Sequence, residues 1–294
     1  MRVDVHITRG LDHVARALAV DARNADAVEL RGTLRYLRWL LSLEPDPTRA
    51  SALLRDAEAD LRSAVSISPT NASAWSVLSH LHYQKPDFTE AKLAAQRAYE
   101  EDAYLNVAHE IVWRLYTTSY DLEDFAGADQ WCREGRLRFP QNARFAECRL
   151  WLLTARGTDP DITLAWSLVD SLGRRTPDEQ WEHGARKSAE LVVAAVIARA
   201  AASDSGRRAL LADSARQVLL RARPTREEDP EGESLGTEAF VRTILGEKDD
   251  AFRLLKEYFA LNPGHRALFA KGNSWWWRPL KDDPRFAELV GHSQ

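Results

Sequence analysis

An alanine stands twelve residues ahead of each proline that closes a helical stretch in this chain. Ala57 precedes Pro69, Ala128 precedes Pro140, Ala165 precedes Pro177, Ala212 precedes Pro224 and Ala251 precedes Pro263. A sixth window pairs Ala91 with Ala103 in the proline position. Self-similarity at 34 to 47 residues marks an array of helical hairpins, because each unit can bury its apolar face only against its neighbours. The alanine belongs near the start of a hairpin's second helix, where a small side chain lets two backbones come close. The same face returns four and seven residues later. Those positions hold Leu61 and Ala64, Ala95 and Ala98, Cys132 and Gly135, Val169 and Leu172, Leu255 and Tyr258. Proline then ends the helix, since it lacks an N–H and disfavours helical geometry in the residue before it. Arg216 breaks the pattern ahead of Pro224, although Leu219 keeps it.

Tryptophans mark the first helices. Trp39, Trp75, Trp113 and Trp151 recur at intervals of 36, 38 and 38 residues, as packing residues between layers of hairpins. Trp131 and Trp166 fall in second helices. The expected pairs are Ala25–Leu43 with Ser51–Ile67, Ala72–Tyr83 with Phe88–Glu101, Asn106–Ser119 with Glu123–Arg138, and Ala143–Ala155 with Ile162–Arg174. A longer hairpin, Trp181–Ala202 with Arg207–Arg223, precedes an acidic linker over Glu227–Glu233 and a last pair, Thr237–Leu245 with Asp249–Ala260. Asp12–Val20 reads as a second helix without its first, Met1–Arg9 being too short to supply one. No segment reads as a strand. The expectation is one all-α solenoid over 1–294, with a truncated half-repeat at 1–24, about six hairpins over 25–263 and a cap over 264–294.

Composition removes several classes of function. The 294 residues are 45% hydrophobic and 29% charged, and 40 basic against 44 acidic residues give a net charge of −4. That balance offers no electrostatic reason to expect nucleic acid as a partner. Cys132 and Cys148 lack CxxC spacing and read as two buried, unpaired thiols of a reducing compartment. Met1–Gly10 carries Asp4 and has no apolar core of a secretory signal. The longest apolar run, Leu191–Ala198, stops at Arg199 and is too short to span a bilayer. These features predict a cytoplasmic, soluble chain.

The windows resemble tetratricopeptide repeats. Trp75, Leu78, Ser79, Ala91 and Ala98 follow that family's order of large, apolar and small residues, and Leu245-Gly246-Glu247-Lys248-Asp249-Asp250-Ala251 with Pro263 is the clearest single match. The likeness implies a right-handed superhelix of antiparallel helix pairs. The tail Pro279-Leu280-Lys281-Asp282-Asp283-Pro284-Arg285-Phe286 resembles the ending of tetratricopeptide arrays in bacterial signalling proteins, notably serine/threonine kinases and adenylate-cyclase-like regulators. Arg31-Gly32-Thr33-Leu34-Arg35 and the stretch Ala57–Ala64 resemble the kinase-associated versions too. This resemblance implies a regulatory or docking array, any kinase or cyclase activity residing in a domain absent from this chain. No glycine-rich phosphate loop, HRD-type loop or DFG motif occurs.

Catalytic chemistry finds little footing. His109-Glu110-Ile111-Val112-Trp113 opens like the HExxH zinc motif but places Trp113 where the second ligand must stand. His80 and His82, two apart, point to different helix faces. No cofactor or metal is therefore expected, and the extra-long hairpin at 181–223 is the sole motive for an enzymatic reading. Binding is the stronger expectation. Helix phase, with Trp75 and Leu78 packed, turns Ser76, His80 and Tyr83 toward the groove formed by first helices; the next first helix adds His109, Trp113 and Tyr116. A protein or peptide is the expected ligand of that aromatic, weakly polar surface. Trp275, Trp276 and Trp277 form either a plug over the end of the array or an aromatic docking patch. The second use would make the chain an oligomerisation module, with a homodimer as its simplest form.

Overall fold

The structure, a computed structural model, describes residues 2–270 and 274–291; Met1 and the residues 271–273 and 292–294 of the expected half-repeat and cap lie outside it. Every regular element among the described residues is helical. The fold is all-α, of tetratricopeptide-like helical hairpins. By contacts the chain divides into two compact units, 1–118 and 119–294, with the boundary inside one helix.

The first unit holds α1 (Arg2–Val20), α2 (Ala25–Leu40), α3 (Pro47–Ile67), α4 (Ala72–Gln84), α5 (Phe88–Glu101) and most of α6 (Ala108–Asp121). Short polar turns define these ends. The side chains of Asn24, Asp46 and Asn71 accept hydrogen bonds from the backbone N–H groups of Ala27, Arg49 and Ala74, and so satisfy amides that the first helical turn leaves open. Helix α2 packs on α3 and α4 on α5, each as an antiparallel hairpin, and α3 packs on α4. The cadence alanines lie at these crossings: Ala57, Leu61, Ala64, Ala91, Ala95 and Ala98 are fully buried. Helix α1 differs from the expected half-repeat. It runs unbroken from Arg2 and buries Ile7 and Val14 while packing on α2, because Asp4 and Gly10 are both tolerated within one amphipathic helix.

The second unit continues with α7 (Phe125–Arg138), α8 (Arg144–Leu152), α9 (Ile162–Gly173), a single turn α10 (Asp178–Gln180), α11 (Arg186–Ser203), α12 (Arg208–Ala222), α13 (Glu233–Leu245), α14 (Lys248–Leu261), α15 (Arg266–Ala270) and α16 (Pro284–Val290). Pairs α8/α9, α11/α12 and α13/α14 pack together, and α11 also packs on α9 and α13. Gly246, in the left-handed conformation at φ 78°, ends α13, which is the role its repeat position demands.

Four expectations need correction here. In α12 the buried stripe is Ala215, Leu219 and Ala222, not Ala212 and Arg216. The same four-and-seven spacing is present, displaced by three residues, and Arg216 is left outside to pair with Glu247 at 2.6 Å and Asp213 at 2.5 Å. The long helix predicted from Trp181 is broken at Gly184, whose φ of 119° only glycine adopts readily, so α11 begins at Arg186. Helix α13 starts at Glu233 rather than Thr237, because the Asp229 carboxylate accepts from the N–H groups of Glu233 and Ser234 at 3.0 and 2.8 Å. Finally, Cys132 on α7 and Cys148 on α8 are joined in a disulfide, with Cα atoms 5.9 Å apart. Their pairing removes the reason for placing the chain in a reducing compartment.

Gly135 shows how tightly α7 and α8 approach. A Cβ there would lie 2.1 Å from Cδ1 of Phe145, a fully buried ring stacked on Phe139. Gly135→Ala improves helix propensity by about 1 kcal/mol, but forcing the ring aside costs about 1–3 kcal/mol. Urea unfolding should report net destabilisation; a stabilised variant would mean that α7 and α8 are further apart than described.

No helix among the described residues is long and apolar enough to cross a membrane.

Candidate functional site

In the first unit the first helices of successive hairpins, α2, α4 and α6, present a connected row of aromatic and charged side chains. Tyr36 of α2 stacks on Trp39 at 5.9 Å and meets the His80 ring of α4 edge-on at 5.5 Å. One turn along α4, the Tyr83 ring lies under the guanidinium of Arg114 from α6, 4.1 Å from centroid to Cζ. Trp113 and Tyr116 of α6 pack at 5.0 Å, and Tyr83 also touches Phe88 at 5.4 Å. The i, i+3 spacings of Tyr36 and Trp39, His80 and Tyr83, and Trp113 and Tyr116 keep each pair on one side of its helix.

Of the residues predicted for this surface, Ser76, His80, Tyr83, His109 and Trp113 are partly exposed, whereas Tyr116 retains only 2% of its surface and supports Trp113 from below. His109 lies 3.5 Å from Glu110. Sequence reasoning missed Tyr36 and Arg114. A signal existed for the first, since Tyr36–Trp39 repeats the i, i+3 aromatic pairing of Trp113–Tyr116. Nothing local distinguishes Arg114 from any solvated arginine; its value comes from Tyr83, thirty-one residues earlier.

His80 is the titratable centre of the row. Burial, with the nearby Arg114 cation adding to it and Glu110 opposing it, pulls its pKa down to about 4. Its Nε2 is 3.2 Å from Nε2 of Gln84, so the neutral ring is the form this site holds. A histidine with a depressed folded pKa contributes stability that is fully present above its unfolded pKa of about 6.5. The contribution disappears as pH falls from there to about 4. Thermal melts should therefore show stability falling across that interval, with a shallower fall in His80→Gln. Equal slopes in the two proteins would remove His80 from the account.

On the opposite face of α4 the side chains differ. Trp75, Leu78 and His82 floor a groove of about 690 Å³ between α3 and α5. His82 is buried 4.0 Å from Glu58 and 3.8 Å from Asp87, so it and His80 serve different surfaces. No group of three or more His, Cys, Asp or Glu side chains suited to a metal ion occurs among the described residues.

The tryptophan triplet belongs to the second unit. Trp275 is 5% and Trp277 3% exposed, and Trp276 is half-buried. Trp275 lies among Tyr120, Phe125 and Phe240, with ring centroids 5.4–5.5 Å away, and its Nε1–H donates to the Tyr120 carbonyl at 3.2 Å. Trp276 stacks on Phe240 at 4.3 Å and on Trp151 at 5.2 Å; Trp277 stacks on Phe269 at 5.2 Å. Arg278 adds an ion pair with Glu123. The segment thus lies against α6, α8 and α13, and most of its indole surface is used within the unit.

No family model matches the sequence, and no curated protein matches it. Similar solved structures include YrrB, a tetratricopeptide-repeat protein with an unusual peptide-binding site, at 13% identity and a TM-score of 0.41, covering 88% of this chain and 97% of that one. Yeast Tom70 is similar at 14% identity and a TM-score of 0.46, covering 98% of this chain and 62% of that one. A structure of Naa15/Naa10 bound to HypK-THB is similar at 17% identity and a TM-score of 0.44, covering 95% of this chain and 37% of the other.

Proposed function

We propose that the chain is a non-catalytic scaffold that binds a protein or peptide along the first-helix row of its first unit. The observation that carries this reading is the run of rings and one cation spread over three helices, in which the buried Tyr36 backs His80 and the partly exposed His80 and Tyr83 lead to Arg114. Aromatic side chains supply large contact area at small entropic cost, and Arg114 and His109 supply direction to a polar or acidic ligand group. Ser76 and Trp113 extend the surface along α4 and α6. As context we propose the docking or regulatory region of a bacterial signalling protein, such as a serine/threonine kinase, a reading supported by the tail over Pro279–Phe286. There Asp283 caps α16 by accepting from the Arg285 N–H.

Peptides selected against the whole chain from a display library test the row. Affinity for the selected peptides should fall about tenfold or more in each of Tyr83→Ala and Trp113→Ala, a loss typical of central aromatic contacts. Circular dichroism must show helicity kept. Selected peptides that bind both variants as tightly as the parent would end the assignment to this face.

A further inference from the structure

The grooves between successive second helices carry opposite electrostatic arrangements in the two units, and the second unit's is unbalanced. In the first unit the groove between α3 and α5 is lined by Arg62 and Arg97 together with Glu90 and Glu100. Arg62 pairs with Glu58 at 3.0 Å and Arg97 with Glu100 at 3.3 Å, so each cation is neutralised. The corresponding cavity in the second unit, about 310 Å³ between α7 and α9, is lined by Arg133, Arg136 and Arg175 and by no carboxylate. Arg133 pairs outside the cavity with Asp129 at 3.1 Å. Arg175, just past the end of α9, is held by that helix, donating to the Ser171 carbonyl at 3.2 Å and to the Ser171 hydroxyl. Arg136 has no ion pair among the described residues; burial, with the like charges of Arg149 and Arg175 adding to it and Asp129 opposing, pulls its guanidinium below the usual arginine range.

The floor is as distinctive as the rim. Phe139 and Phe145 stack at 5.8 Å with an interplanar angle of 24°, and Leu168 closes the apolar side. The Cys132–Cys148 disulfide ties α7, which carries Arg133 and Arg136, to α8, which carries Phe145 of the floor. Three guanidiniums, of which those of Arg136 and Arg175 have no carboxylate partner among the described residues, at the mouth of a small cavity with an aromatic floor, ask for a ligand with a compact polyvalent anion on a flat apolar body. Guanidinium forks match the oxygens of phosphate in pairs, and a dianion answers two of them at once. We propose that this cavity is a binding site for an aryl phosphate, its phosphate between Arg136 and Arg175 and its ring against Phe139.

The site is independent of the first-helix row, so the two can fail separately. The test is calorimetric titration of the full chain with phenyl phosphate, inorganic phosphate and phenol, repeated with a phosphotyrosyl peptide to distinguish a free small molecule from a modified side chain. Phenyl phosphate should bind more tightly than either fragment and weaken with added salt. The exposed double substitution Arg136→Gln with Arg175→Gln should weaken it about tenfold or more. The same changes at Arg62 and Arg97 should leave it unaltered. Binding of phenyl phosphate no tighter than inorganic phosphate, or undiminished in the Arg136/Arg175 variant, would overturn the proposal.

Discussion

Trp275→Ala should be among the most damaging single substitutions in the second unit, costing about 3–5 kcal/mol, as expected when a buried tryptophan is cut to a methyl group. The reasons are geometric. The indole is almost wholly buried, three aromatic rings close on it, and its N–H satisfies the Tyr120 carbonyl. Truncation empties the space between α6 and α13 and frees the segment that carries Trp276 and Trp277. In a unit of this size each kcal/mol lowers Tm by about 2–4 °C, so a loss on the order of 10 °C is the expected result. Trp276→Ala should cost markedly less, because that ring keeps part of its surface in water. Equal, small effects of the two substitutions would show that residues 275–280 rest loosely on the unit.

In the first unit the largest effect is expected at Asp60. This carboxylate on α3 is 6% exposed and accepts from Arg31 Nε at 3.0 Å, Arg31 Nη2 at 2.6 Å and Arg35 Nη1 at 2.6 Å. It therefore clamps α2 to α3 beside Gly32, where a Cβ would lie 2.8 Å from Cγ of Leu61. Asp60→Ala leaves two guanidiniums beside an apolar crossing. Breaking a buried pair in this way costs about 3–5 kcal/mol, and the lower end applies because both arginines can turn toward solvent. Asp60→Asn, which keeps the shape but not the charge, should lie between the parent and Asp60→Ala. Urea unfolding gives the comparison; a loss below about 1 kcal/mol would reduce the clamp to an ordinary surface ion pair.

These residues also show what a sequence discloses and what it withholds. The hairpin cadence is local: it depends on contacts repeating every four and three residues, and the α5 limits Phe88–Glu101 are the predicted ones. In α12 burial, not distance from the proline, sets the register: Ala215, Leu219 and Ala222 bury better than Ala212 and Arg216. The disulfide left a trace, since Cys132 stood in a close-approach position, but its partner comes from the next helix and no spacing rule links them. The row Ser76, His80 and Tyr83 was legible from helical phase. Tyr36 and Arg114 complete it only because α2, α4 and α6 lie side by side. The berth of Trp275 was least legible, its nearest backbone partner being 155 residues away.

The most direct test of the central claim is a co-crystal structure of the full chain with its tightest display-selected peptide. The account predicts peptide density along α4 and α6, in contact with His80, Tyr83, Trp113 and Arg114. Density confined to the groove between α3 and α5, with those four side chains untouched, would contradict it.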